Sequence, residues 1–155
     1  MSPDTLAADP TRPLAPAAVA LQIVDHPHRL QLLVESGYLW LYLGDLAEAA
    51  LAFAGAAALA PHDPTPLLGL AETELTAGRA AAALALLERA LAAPHAESAR
   101  KGLAHLLQAR AHERLGNTGA TSAALQAAAA IDPDGPAGHA ARLRLDVART
   151  ASGTG

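Results

Sequence analysis

The sequence predicts an all-α fold, an α-α superhelix of about three helical hairpins closed by a C-terminal capping helix. Residues 44–61 place a turn glycine, a capping aspartate, an alanine-rich helix and a proline stop in succession, and 78–94 and 116–133 repeat this layout. The turn glycines Gly44, Gly78 and Gly116 recur after 34 and then 38 residues, a period typical of stacked helical hairpins. Composition agrees. More than a quarter of the chain is alanine and only 3% is aromatic, which suits closely packed helices and disfavours sheets.

Taken in order, residues 1–26 hold Pro3, Pro10, Pro13 and Pro16, with Pro27 just beyond, and read as a largely irregular arm. Ala17 to Val24 is the exception, a short apolar stretch with helical potential suited to docking or dimerisation. The three hairpins then occupy 27–135. The first helix is expected from about His28 to Leu43, with Asp25 or His26 as cap and Pro27 in its first turn. Leu30, Leu32, Leu33, Val34, Tyr38, Leu39, Trp40, Leu41, Tyr42 and Leu43 are more apolar residues than one buried stripe accommodates. A second surface of this helix therefore needs a cover.

Asp45 and Glu48 have the spacing of a capping box at the start of the 45–60 helix, and Pro61 ends it. The second hairpin is Pro64–Ala77, a turn at Gly78, then Arg79–Ala93, with Pro94 as the stop. In the third, the additional residues His95 to Lys101 are expected to lengthen the first helix, which runs to Leu115. Its partner follows the Gly116-Asn117 turn and ends at Ile131-Asp132-Pro133. Residues 136–150, with Leu143, Leu145 and Val147, form an amphipathic capping helix expected to show a polar outer face. A short flexible tail, 151–155, closes the chain.

The large and small residues along these hairpins resemble those of tetratricopeptide repeats over about residues 30–133. Gly37, Ala71 and Ala109 match the small position of the first helix. Ala49 and Ala83, then Phe53, Leu87 and Leu125, then Ala56, Ala90 and Ala128 match the small, large and small positions of the second. Large side chains wedge between helices only where the opposing residues are small. The third repeat departs from the pattern at His105, Gln108 and Thr121.

In that family the first helices line a concave groove, and the resemblance implies the residues facing it here. These are Gln31, Val34, Tyr38, Leu41 and Tyr42 from the first repeat, and Thr65, Leu68, Glu72, Leu75 and Thr76 from the second. Leu103, Leu106, Arg110, Glu113 and Arg114 come from the third. Such a groove is apolar at its N-terminal end and charged at its C-terminal end, a pattern suited to the apolar side chains of a bound helix or extended segment. Relatives that grip the C-terminal carboxylate of heat-shock chaperones use Lys, Asn and Arg in places where Val34, Tyr38 and Glu72 stand, so no carboxylate clamp is expected. The alternative cover for Tyr38, Leu41 and Tyr42 is the chain's own N-terminal arm or a second copy.

Charge narrows the partners. A net charge of −4 argues against nucleic acid. No Lys or Arg lies between Arg29 and Arg79, where six acids fall, whereas from Arg79 to Arg149 nine basic residues face six acids. This asymmetry reads either as solvated helix faces or as a binding surface that changes sign along its length. No apolar run spans a bilayer, and no basic segment leads into an apolar one at the N-terminus. Membrane insertion is not expected, and a soluble cytoplasmic protein is.

Catalysis is not expected either. The absence of cysteine excludes thiolate chemistry and disulfides. The seven histidines lack the converging spacing of a zinc site, Glu72 and Glu74 point to different faces, and no phosphate loop or nucleophile elbow occurs. No catalytic residue, metal or cofactor is assigned. A narrower resemblance concerns Gly37-Tyr38-Leu39-Trp40-Leu41-Tyr42-Leu43-Gly44, which is similar to the opening helix of YscY-type assembly chaperones of bacterial type III secretion. Pro66-Leu67-Leu68-Gly69-Leu70-Ala71 resembles the LcrH/SycD-type translocator chaperones. The resemblance implies a bacterial cytoplasmic chaperone that holds a secretion substrate or apparatus component in its groove. A structural scaffold or self-associating subunit, including a homodimer, is the alternative from another class.

Overall fold

Helix α1 spans His26–Leu43, α2 Leu46–Leu59, α3 Thr65–Thr76, α4 Ala80–Leu91, α5 Ser98–Arg114, α6 Thr118–Ile131 and α7 Pro136–Ser152. The structure, a computed structural model, describes residues 26–94 and 96–152, and within them every element is helical. The expectations for the arm 1–25, including Ala17–Val24, and for the last three residues of the tail lie outside the described residues, as does His95. Each helix packs on the next, and α1 also touches α3, α3 touches α5, and α5 touches α7. Alternate helices thus stand side by side and build one continuous face, as stacked hairpins require.

The three hairpin turns are chemically alike. Gly44, Gly78 and Gly116 have φ of 82°, 81° and 74°, the left-handed conformation that glycine adopts without strain. Each is followed by an amide that bonds back across the helix end: Asp45 N to Trp40 O, Arg79 N to Glu74 O and Asn117 N to His112 O, at 2.8–3.0 Å. That pairing, with the glycine amide on the next carbonyl, is a Schellman motif. Asp45 caps α2 by accepting from the Glu48 amide at 3.2 Å. The reciprocal half of the capping box is not made, because the Asp45 amide is already used in the turn.

The small and large positions pack as the repeat pattern demands. Gly37, Ala71 and Ala109 are buried on α1, α3 and α5, and Ala49, Phe53, Ala56, Ala83, Leu87, Ala90, Leu125 and Ala128 on the helices they meet. Phe53 is the largest wedge. Its ring fills the space left by Gly37, where an added Cβ would come within 2.7 Å, and by Gly69, where the contact would be closer still. Of the departures in the third repeat, His105 and Gln108 satisfy each other through a 2.9 Å hydrogen bond, and the Thr121 hydroxyl donates to Asn117 O.

Helix ends and one outer surface differ from expectation, and Ala151 and Ser152, assigned to the tail, belong to α7. Helix α1 starts at His26, about one half-turn early, because Pro27 fits a helix's first turn. Only Ser98–Lys101 of the additional segment lengthens α5, while Ala96 and Glu97 remain in the connection. The outer face of α7 is less polar than a cap needs: Leu145 packs against the α5–α6–α7 core, but Leu143 and Val147 are each 68% exposed.

Candidate functional site: the face of the first helices

The face shared by α1, α3 and α5 carries one side chain from each helix at the same distance before its turn glycine: Tyr38, Glu72 and Arg110. Tyr38 leans edge-on against Phe53, with ring centroids 4.9 Å apart and planes at 79°, a favoured aromatic geometry. Burial, and secondarily the nearby Glu72 carboxylate, push its hydroxyl up to about 12. Burial likewise raises the Glu72 carboxyl above the usual carboxylate range, opposed by the attraction of Arg110. The three groups therefore sense one another in sequence, phenol to carboxylate to guanidinium, across three repeats.

A raised carboxyl means that the folded chain holds a proton on Glu72 more readily than the unfolded chain does. Stability then falls as pH rises from the unfolded value through the folded one, and stays lower at neutral pH. Glu72→Gln is expected to raise the melting temperature at pH 7 and to lose that advantage in acid below the unfolded carboxyl's titration. Thermal unfolding of both proteins across this range checks it; an unchanged or lower melting temperature at pH 7 would contradict it.

Around this row the expected groove residues divide into two groups. Val34, Tyr38 and Leu41 are half-buried, and Tyr42 is 88% exposed one turn beyond Tyr38. Glu72, Leu106 and Arg110 are half-buried. Leu103 and Leu106 line a cleft of about 270 Å³ with Ala99, Asp132, Pro136 and Ala137. Leu68 and Leu75 do not face a groove. They are 2% and 0% exposed and belong to the core shared by α3, α4 and α5, because α3 has a neighbouring hairpin on each side.

The charged end also differs from expectation. The Arg114 guanidinium donates to the Leu75 carbonyl, satisfying the C-terminal end of α3 where a cation is favoured. Glu113 accepts from Arg144 of α7 at 2.7 Å. Both groups tie repeats together, leaving Glu72 and Arg110 as the charged members of the central row. Gly69, which admits the Phe53 ring, is the residue that the repeat pattern did not single out. Gln31 is exposed and donates to Glu35 on its own helix at 2.8 Å, while the Thr65 amide donates to Asp63 Oδ1 at 2.9 Å.

Among the described residues, no group of three or more His, Cys, Asp or Glu is placed to hold a metal ion. No described helix is long and apolar enough to cross a membrane. What the face offers is a surface: an apolar N-terminal end, two half-buried charges at its centre and an apolar cleft towards α7.

No family model matches the sequence, and no curated protein matches it. Solved structures do. A type III secretion complex from Aeromonas hydrophila superposes with a TM-score of 0.69 at 18% identity, over 88% of this chain and 91% of that one. The first tetratricopeptide domain of human RPAP3 gives 0.66 at 18%, over 81% and 95%. The type III secretion translocator chaperone SycD of Yersinia enterocolitica gives 0.64 at 16%, over 79% and 97%. With the three Schellman turns, the small–large–small packing and the side-by-side first helices, these likenesses establish the fold as that of tetratricopeptide-repeat domains.

Proposed function

We propose that the chain is a protein-binding chaperone of the bacterial cytoplasm, holding an amphipathic segment of a type III secretion substrate or apparatus component against the face of α1, α3 and α5. The observation that carries this reading is Tyr42, 88% exposed beside the half-buried Val34, Tyr38 and Leu41. An aromatic left in water next to partly covered apolar side chains is the usual form of an interaction anchor. Glu72 and Arg110, next along the row, would fix the direction of the bound segment through charges of opposite sign. The likeness to a secretion chaperone and to a secretion complex supports the same reading.

A second reading, a self-associating scaffold subunit, is favoured by the apolar pair Leu143 and Val147 exposed on α7 at the other end of the stack. Purification of the tagged chain from its native host, followed by mass spectrometry, separates the two. The chaperone reading expects a stoichiometric secretion substrate or apparatus component. Recovery of only further copies of the chain would reject it in favour of the scaffold.

A further inference from the structure

The face of α1 turned away from the groove is built like an interior surface. Counting back from the turn glycines, Leu32 and Leu39 correspond to Pro66 and Thr73 of α3 and to Ala104 and Ala111 of α5. All four counterparts are buried. Ala104 and Ala111 share a cluster with Ala83, Leu87 and Ala90 of α4, which shows what this face does elsewhere: it receives the second helix of the preceding hairpin. In α1 no described helix precedes it. Leu32, Leu39 and Leu43 are 52%, 56% and 61% exposed, and spacings of seven and four residues align them in one stripe.

We infer that this stripe is the docking site of the chain's own N-terminal segment, with Ala17–Val24 standing in for the missing second helix. Twenty-five residues precede the described part and enter α1 directly at His26. Leu32 lies about 9 Å along α1 from His26 at 1.5 Å per residue, and an eight-residue helix spans about 12 Å. A stretch turning back at Asp25 therefore lies over Leu32. The proline-spaced residues before it, at about 3.1 Å each when extended, bring Leu14 to Leu39 some 20 Å along the axis.

Volumes match as well. At the positions that correspond to Leu32 and Leu39, alanine on the first helix meets leucine of the second, as Ala104 and Ala111 share a cluster with Leu87. At α1 the leucines are on the first helix, and the segment offers Ala17, Ala18 and Ala20. The sizes are exchanged, and the fit is kept. A second copy suits the stripe less. A two-fold contact would bring the exposed Glu35, which lies between Leu32 and Leu39, towards its own mate.

Hydrogen exchange of the full chain, read by mass spectrometry alongside light scattering, tests this, and it does so without any partner. In the monomer the amides of 21–24, the ones an eight-residue helix bonds internally, are expected to exchange at least tenfold more slowly than in the Leu32→Asp, Leu39→Asp double variant. Both positions are exposed, so the variant folds. Equal exchange in the two proteins, whether fast or slow, overturns the inference, because the segment is then either undocked or docked elsewhere. Protection that appears only with a concentration-dependent dimer overturns it too, and assigns the stripe to a second copy.

Discussion

Phe53→Ala is expected to remove about 3–5 kcal/mol of stability, the range for deleting a fully buried aromatic side chain. The ring is wholly buried, meets Tyr38 edge-on and occupies the volume vacated at Gly37 and Gly69. From α2 it joins three helices by entering the glycine gaps of α1 and α3. The same geometry predicts the reverse experiment. Gly69→Ala places a methyl group inside the ring's volume and is expected to cost about 1–3 kcal/mol by overpacking. One repeat along, the counterparts of Phe53 and Gly69 are Leu87 and Leu107, both buried in one cluster. The two repeats thus divide a similar volume differently, as large with absent or as medium with medium. Phe53→Leu combined with Gly69→Ala is therefore expected to lose less than the two single changes together, since the pair is in contact. Urea unfolding of the four proteins measures this cycle. A neutral Gly69→Ala would mean that the ring has slack and does not wedge the helices.

The same pair marks how far the sequence reaches. Steric rules that act within one repeat are readable: a small residue must oppose each large one, and Gly37, Ala71, Ala109 and the second-helix alanines all pack accordingly. Gly69 is not marked by the repeat pattern because its role is set by a partner in the preceding hairpin, the Phe53 ring, where the other two repeats carry leucine. Leu68 and Leu75 are buried where the repeat pattern implies a groove position, for a different reason. They stand where Val34 and Leu41 stand in α1, but α3 has neighbours on both sides and α1 does not, so equal register gives unequal burial. Arg114 illustrates the third gap. Its contact with the Leu75 carbonyl joins residues from different repeats, and nothing periodic in the chain announces a partner so distant. The surplus of apolar residues on the first helix, by contrast, was legible as a quantity. Its division into a groove side with Tyr38, Leu41 and Tyr42 and an outer side with Leu32, Leu39 and Leu43 required knowing where α2 and α3 lie.

Tyr42→Glu is expected to weaken capture of the bound segment by roughly thirtyfold or more, the scale of losing a binding anchor worth about 2 kcal/mol. A carboxylate in the contact adds to this, because it must be desolvated without a partner. Folding is expected to change by no more than about 0.5 kcal/mol, as for surface substitutions generally, since Tyr42 is 88% exposed. Helical circular dichroism should therefore be the same in both proteins. Leu41→Glu is expected to act in the same direction, whereas Tyr38 is unsuitable as a probe because its ring also supports Phe53. Leu143→Glu on α7 supplies the control at the opposite end of the stack: it is expected to leave capture intact. Affinities measured by titration calorimetry with the partner recovered from the native host distinguish the outcomes. Capture that survives Tyr42→Glu but fails with Leu143→Glu would move the binding surface to α7.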